Sequence, residues 1–279
     1  MSSIAGDALG LGRSVVSDLI GRGKQGIETG GRLVILAWTT VRFLFTDIIR
    51  KKFSWEEYIL QCSFMTRVGL LPTILVAIPF GVIISVQIGA VAAQIGATSF
   101  TGAVNGIGVL QQGAPLVTSL LVAGAIGSAI TSDLGARTVR EEVDAMRVMG
   151  LNPVQRLVAP RLLAAVTVSL LLTVVVAMSA LITTYIINVG GGTVSSGAYM
   201  SSFVQFSKVS DLILAEAKAF IFGFIATIVC CHKGLTAKGG AKGVADAVNQ
   251  AVVLSVILLA MVNVLITQGY TMLFPPRLG

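Results

Sequence analysis

Three long stretches of this chain, residues 68–132, 162–207 and 247–276, contain no Asp, Glu, Lys or Arg. Each is longer than the ~20 apolar residues with which a helix crosses the hydrocarbon core of a membrane. Charged residues make up 12% of the 279 residues and apolar residues 54%, whereas soluble domains carry about 25% charged residues. With a mean hydropathy of +0.88, this composition excludes a soluble enzyme, a disordered tail and a nucleic-acid-binding protein.

The apolar segments predict an all-α integral membrane protein with five membrane-spanning helices. The predicted spans are 68–93, 108–131, 160–188, 211–231 and 249–274. Residues 31–52 are also apolar, but six charged residues interrupt them, which favours a helix lying in the membrane interface. A short true span is the alternative, and Arg42 in the middle of the segment disfavours it. Residues 1–30 are predicted to form an N-terminal tail.

The basic residues are concentrated on one side of the predicted membrane. If the N-terminus is cytoplasmic, 17 of the 20 Lys and Arg residues lie before the first span, between spans two and three, or between spans four and five. Cytoplasmic loops carry such an excess of basic residues. The pattern therefore predicts a cytoplasmic N-terminus and an external C-terminus, and it accounts for the net charge of +7.

The loop between the second and third spans has the pattern of a short amphipathic helix. Thr138 and Glu141 form a capping box and Gly150 fits a helix end, so a helix is predicted over 138–149. Its apolar stripe consists of Val139, Val143, Met146 and Met149. Its acidic residues are Glu141, Glu142 and Asp144. Such a helix is suited to docking into a groove on a partner. A solvated helix resting on the membrane is the alternative, and the acidic residues disfavour it.

Residues 134–150, with the sequence LGARTVREEVDAMRVMG, resemble the E-E-x-D-A signature of the MlaE/YrbE permeases. These are membrane subunits of ATP-driven lipid transporters that work with MCE proteins. The resemblance covers about residues 54–273, including the segments 115–130, 152–161, 218–223 and 233–244. Segments 61–64, 140–145 and 247–253 are most similar to the actinobacterial A-type YrbE subunit.

The resemblance implies a permease that pairs with a second, B-type YrbE in the plasma (inner) membrane. A dimer of a cytoplasmic ABC ATPase would bind ATP and Mg²⁺, and MCE proteins would form a tunnel on the outer side. Helix 138–149 would be the coupling helix on the ATPase, through Thr138, Val139, Glu141, Glu142, Val143, Asp144, Met146 and Met149. This chain has no phosphate-binding G-x-x-x-x-G-K-[ST] motif, no apparent catalytic pair and no metal-binding cysteine pattern, so no cofactor is expected on it.

The resemblance also implies a lipid cavity between the two permeases, lined by spans one, two and five. The candidates in this chain are Ile84, Gln87, Ile88, Val91, Gln111, Gln112, Val264 and Gln268, and ordinary helix packing is the alternative at each. Gln111 and Gln112 stand where phospholipid-handling relatives commonly carry Arg-Glu. Two neutral amides suit a hydroxyl or carboxyl head better than a phosphodiester, so the predicted cargo is a sterol, a fatty acid or a similar lipid, imported into the cell.

Apart from Arg161 at the cytoplasmic end of the third span, Lys218 is the lone strongly basic residue inside a predicted span, and an ionisable group at that depth is a functional hypothesis by default. The structural alternative, which we favour, is that a partner carboxylate or an outward-reaching conformation satisfies it.

Two other functions are compatible with the sequence. One is a stand-alone secondary transporter, which needs intramembrane charge relays and preferably inverted repeats, and the other is a membrane scaffold. The Gly- and Ser-rich residues 190–202 are predicted to be an external loop that contacts MCE proteins or serves as a linker.

Overall fold

The structure, a computed structural model, describes residues 28–51 and 53–273. These residues form eight helices and contain no strand. The helices are α1 (28–49), α2 (Trp55–Gln94), α3 (Thr98–Val139), α4 (Glu142–Val148), α5 (Val154–Gly190), α6 (Ser196–Phe206), α7 (Val209–Leu235) and α8 (Gly240–Leu273).

Five of these helices, α2, α3, α5, α7 and α8, are long and apolar enough to cross a membrane. This confirms the predicted all-α membrane protein with five spans. The helices extend beyond the predicted spans: α2 begins at Trp55 and α8 at Gly240. The charge-free stretches mark the part of a helix that hydrocarbon can surround, but a helix continues into the polar region beyond them. Residue 274, the predicted end of the fifth span, lies outside the described residues.

Helix α1 confirms a helix in the predicted interfacial segment. One of its faces packs through Leu33, Leu36 and Ala37 against a small cluster that includes Leu162 and Ile228. The opposite face leaves large apolar side chains exposed, including those of Val34, Ile35 and Trp38. Of the predicted tail, residues 1–27 lie outside the described part of the chain, and residues 28–30 belong to α1. The position of α1 in the membrane interface stays a prediction.

Helix α2 is attached along its length to α5. Near its start, the Tyr58 hydroxyl donates to Thr167 Oγ1 at 3.2 Å. In its middle, Gly81 approaches the backbone of Ala180 so closely that an added Cβ would lie 3.0 Å from the Ala180 carbonyl oxygen. Near its end, Asn188 Nδ2 donates to Ser85 Oγ at 2.6 Å. Small residues allow this close approach of the two backbones.

Helix α3 is interrupted by two π-helical turns, Val109–Gly113 and Val122–Ile126, and α5 begins with a third, Val154–Val158. A π-turn bonds each N–H to the fifth carbonyl before it and rotates the side chains that follow relative to a regular α-helix. Such turns frequently occur at functional sites, and the first of them carries Gln111 and Gln112.

Helix α6 corrects the prediction of an irregular external loop over 190–202. Ser195 caps its start, because the Ser195 hydroxyl accepts a hydrogen bond from the Ala198 N–H at 3.3 Å. The helix packs on the beginning of α3 at Gly102 and Gly106, where an added Cβ would overlap the Tyr199 carbonyl oxygen and the Ser207 hydroxyl, respectively. The glycine- and serine-rich composition predicts a loop, but within residues 190–202 only residues 191–195 lie outside a helix.

We predict that Gly102→Ala weakens the docking of α6 on α3. The new methyl group must displace the Tyr199 backbone, and such overpacking costs about 1–3 kcal/mol. Thermal unfolding of the purified protein in detergent, followed with a thiol-reactive dye that reports exposure of the buried Cys230 and Cys231, should show a lower midpoint. Gly197→Ala in α6, where an added Cβ meets open space, is the control, and equal midpoints for both variants would contradict the assignment.

Candidate functional site

An apolar groove of about 360 Å³, the outer groove, lies between the end of α2 and the start of α3. It is lined by Gln87, Ile88, Val91, Ala92, Ile95, Ala97, Phe100, Thr101 and Val104. Three of these residues, Gln87, Ile88 and Val91, are among the predicted cavity residues. Val91 and Phe100 are more than half exposed, so the groove is open to an apolar molecule from the side.

The structure does not bring the other predicted cavity residues into the outer groove. Ile84 lies one turn earlier on α2, with its Cδ1 atom near Gly113 in the first π-turn. Val264 and Gln268 are exposed on α8, on the face adjacent to the one that carries Asn263 and Thr267. Their participation in a cavity between two permeases stays a prediction.

Gln111 and Gln112 form part of a hydrogen-bonded polar junction between α3, α7 and α8. Gln111 Nε2 donates to Asp211 Oδ1 at 2.9 Å, and Gln112 Nε2 donates to Thr267 Oγ1 at 3.2 Å. Asn263 Nδ2 is 3.5 Å from Gln112 Oε1. One N–H of each amide is therefore bonded to a neighbouring helix, and the participation of Gln111 and Gln112 in binding a lipid head stays a prediction.

Lys218, on α7, is the centre of this polar junction and its side chain is 0% exposed. Its Nζ donates to the Gln111 carbonyl oxygen at 2.8 Å and to Thr267 Oγ1 at 2.9 Å. Neither acceptor is a carboxylate, and the ammonium group does not reach outward, so both predicted ways of satisfying this residue are wrong. Asp211 instead accepts hydrogen bonds from Gln111 Nε2 and from the backbone N–H of Lys208.

The Gln111 carbonyl cannot form its regular α-helical hydrogen bond because of Pro115. In an α-helix this carbonyl would accept a hydrogen bond from residue 115, but Pro115 has no N–H. A carbonyl left unpaired in hydrocarbon costs several kcal/mol, and the ammonium group of Lys218 donates to this one. The structural role that we favour for Lys218 stays a prediction, and these contacts support it.

Helix α4 differs from the predicted coupling helix at its start. Thr138 and Val139 belong to the end of α3, and the Thr138 hydroxyl donates to the Leu134 carbonyl at 2.8 Å and the Gly234 carbonyl at 3.2 Å. Glu141 then turns the chain in the left-handed conformation, with φ of 61°, and α4 begins at Glu142. The predicted cap at Thr138 is wrong because its hydroxyl bonds backward within α3 and to α7.

Two of the four residues of the predicted apolar stripe, Val143 and Met146, face the chain's own core, whereas Val139 and Met149 are exposed. Val143 is 2% exposed and belongs to the main hydrophobic cluster, and Met146 packs against that cluster. The apolar surface left open is the α4 tip, defined as Val148, Met149 and Leu151, with Val148 89% exposed. Sequence periodicity missed Val148 and Leu151 because they lie off the stripe.

Charged side chains surround the α4 tip. Arg147 pairs with Asp144 at 2.8 Å and Arg140 with Glu142 at 3.4 Å, and all four are well exposed. Ion pairs of this kind contribute little to stability, so these side chains can exchange partners at low cost. A groove of about 360 Å³ lies beside them, between α4 and the turn that joins α7 to α8, and Glu141 lines it.

A buried ion pair lies beneath α4. The Arg161 guanidinium of α5, 1% exposed, contacts the Asp133 carboxylate of α3. The same carboxylate accepts from Arg137 Nε at 3.3 Å. Breaking a buried pair leaves an uncompensated charge, so α3 and α5 are held together at the base of α4.

Comparison with known proteins agrees with this architecture. The sequence model of the family described as Permease MlaE matches residues 58–269. A probable ABC transporter permease protein of Rickettsia typhi is 34% identical over 154 residues, 55% of this chain and 60% of that protein. One from Rickettsia bellii is 29% identical over 245 residues, 86% of this chain and 95% of that protein. The chloroplastic protein TRIGALACTOSYLDIACYLGLYCEROL 1 of Arabidopsis thaliana is 27% identical over 210 residues, 75% of this chain and 60% of that protein.

We predict that Lys218→Met destabilises the polar junction. The substitution removes the hydrogen bonds of Lys218 to the Gln111 carbonyl and to Thr267 Oγ1, and a buried acceptor that loses its donor costs about 1–3 kcal/mol. The midpoint of thermal unfolding in detergent should fall. Lys208→Met is the control, because it removes the same charge from the exposed start of α7, and a Lys218→Met protein as stable as this control would contradict the structural role.

Proposed function

This chain belongs to the MlaE permease family, and from that premise we propose that it moves an apolar lipid with a hydroxyl or carboxyl head, such as a sterol or a fatty acid, across the plasma membrane. Members of this family are permease subunits of ABC transporters. The permease is the non-catalytic membrane subunit, and a partner ATPase hydrolyses the ATP. The proposal therefore concerns the cargo, its direction and the assembly around this chain.

The outer groove is the observation that carries the proposed cargo. It has no charged lining residue, and only Gln87 and Thr101 among its lining residues have polar side chains. A phosphodiester head calls for a charged partner such as Arg, whereas a sterol or an acyl chain needs apolar surface and few polar groups. The cargo proposal thus rests on the lining of the groove, since Gln111 and Gln112 each bond to a neighbouring helix through one N–H and do not line it.

We place the ATPase at the α4 tip and its flanking charges. An exposed apolar tip on a short helix is suited to a hydrophobic pocket of a partner, and the acidic residues Glu142 and Asp144 remain available to basic groups on it. The proposed ATPase is a cytoplasmic dimer that binds ATP and Mg²⁺. This assignment requires the N-terminus to be cytoplasmic, which the distribution of basic residues supports.

The remaining partners follow from the same arrangement. A second, B-type YrbE permease would complete the membrane core, with Val264 and Gln268 of α8 among the residues facing the shared cavity. MCE proteins would bind on the outer side, where α6 lies, and deliver lipid for import. ATP binding and hydrolysis would change the spacing of the two ATPase subunits, and α4 would transmit this change as a rigid-body movement.

The cargo proposal predicts which lipids stay bound to the transporter. After purification of the complete complex from its native membrane, mass spectrometry of the extracted lipids should show sterols or fatty acids enriched over their share of that membrane. Phospholipid from the same membrane is the internal reference, because it is present in excess around any membrane protein. Retained lipid that is predominantly phospholipid would contradict the proposed cargo.

The coupling proposal predicts that Val148→Asp separates the ATPase from the permease. Because Val148 is 89% exposed, the substitution costs this chain little stability, whereas burying the new carboxylate at an apolar contact costs several kcal/mol. Co-purification of the ATPase and lipid-stimulated ATP hydrolysis should both fall at least tenfold. Lys242→Asp, at an exposed position near the start of α8, is the control; if both variants keep the ATPase, the α4 tip is not its docking site.

A further inference from the structure

Asn105 of α3 is fully buried, and neither its Nδ2 nor its Oδ1 has a hydrogen-bond partner among the described residues. Buried amide groups are normally paired, and an exception in a native protein calls for an explanation. Asn188 shows the usual case, because its Nδ2 donates to Ser85 Oγ at 2.6 Å and to the Thr184 carbonyl at 2.8 Å. The two asparagines are equally buried, so burial alone does not explain the unpaired amide.

The position of Asn105 relates it to the outer groove. Val104, the preceding residue, and Thr101, one turn earlier, both line that groove. Asn105 lies on the adjacent face of α3, the face that α6 covers. A small shift of α6 away from α3 would therefore add the Asn105 amide to the wall of the groove.

The contact of α6 with this face leaves one more buried polar atom without a hydrogen-bond partner. Next to Gly106, the Ser207 hydroxyl is buried and has no partner in the described part of the chain. The Tyr199 hydroxyl donates to Thr184 Oγ1 at 3.1 Å, and the Asn105 side chain lies close to it. Burial raises the pKa of Tyr199, and the nearby Thr184 and Asn105 side chains oppose that rise.

The flanks of α6 permit such a shift. Gly192, before the helix, has φ of 71°, a left-handed conformation that glycine adopts without strain, and Ser207 and Lys208 after it are extended. Phe206, at the end of α6, makes an edge-to-face contact with Phe100 of the groove wall, with ring centroids 6.0 Å apart. Movement of α6 and access to the groove are therefore linked through one ring contact.

We propose that Asn105 recognises the head of the transported lipid and that α6 is the lid that covers it. The amide provides two N–H donors and one carbonyl acceptor, which match a hydroxyl or a carboxyl head on an apolar body lying in the outer groove. The head satisfies the amide that the closed lid leaves unpaired. This inference rests on the proposed function and adds to it the residue that selects the head.

The test uses the complete transporter in lipid nanodiscs and two probes, a photoreactive palmitic acid and a photoreactive cholesterol. Asn105→Leu keeps the size of the side chain and removes its polar atoms, and Asn105→Ala removes them without adding bulk. For the probe that labels the wild-type permease, labelling should fall about fivefold in both variants, the effect of losing one or two hydrogen bonds. The thermal unfolding midpoint should stay equal or rise in Asn105→Leu, because no hydrogen bond of the closed state is lost.

Asn188→Leu is the matched control. It removes an equally buried amide whose donors are paired, so its unfolding midpoint should fall while labelling per folded molecule is retained. If Asn105→Leu behaves like this control, or if both Asn105 variants are labelled like the wild type, Asn105 is a packing residue and the inference is overturned. If neither probe labels the wild-type transporter, the proposed cargo is wrong and the inference falls with it, an outcome visible before any variant is compared.

Discussion

The hydrogen bond from Lys218 to the Gln111 carbonyl meets the constraint that hydrocarbon imposes on this whole chain. In a membrane every backbone N–H and C=O must be paired within the protein, and Pro115 cannot donate the bond that the Gln111 carbonyl would accept in a regular α-helix. A cation on a neighbouring helix donates to that carbonyl, and Thr267 gives it a second acceptor. These two hydrogen bonds tie α3, α7 and α8 together. A charge that is a candidate transport element in sequence is here hydrogen-bonded between three helices.

The sequence predicted the membrane architecture well because hydrocarbon leaves a strong composition signal. Apolar segments located all five spans, but their ends could not be predicted to the residue, because α2 and α8 continue through charged residues into the polar region. The partners of Lys218 were missed because they lie 49 and 107 positions away in the chain. One signal was present: Pro115, four residues after Gln111, cannot donate the hydrogen bond that this carbonyl would accept in a regular α-helix.

Two local elements show why short patterns are weaker evidence than long ones. Thr138 and Glu141 satisfy the capping-box spacing, but a threonine hydroxyl also bonds to the carbonyl four residues before it, and α3 was already helical at that point. Helix α6 was missed because glycine and serine around it favour a loop by propensity. Its packing on Gly102 and Gly106 outweighs that propensity, since most helix stability in proteins comes from tertiary contact. The contact that decides α6 is long-range, whereas Thr138 is held by a local bond to Leu134 together with a long-range bond to Gly234.

The same contacts suggest how the movement proposed for α4 would reach the outer groove. Val143 belongs to the cluster that also contains Leu157 and Val158 in the first turn of α5, so α4 and the start of that helix share one hydrophobic cluster. The Arg161–Asp133 pair holds α3 to the same point. Further along, α5 is attached to α2 at Thr167, Ala180 and Asn188, and α2 forms one wall of the groove. Because packed helices shift as rigid bodies rather than deforming continuously, displacement of α4 would change the gap between α2 and α3, which is the width of the groove itself.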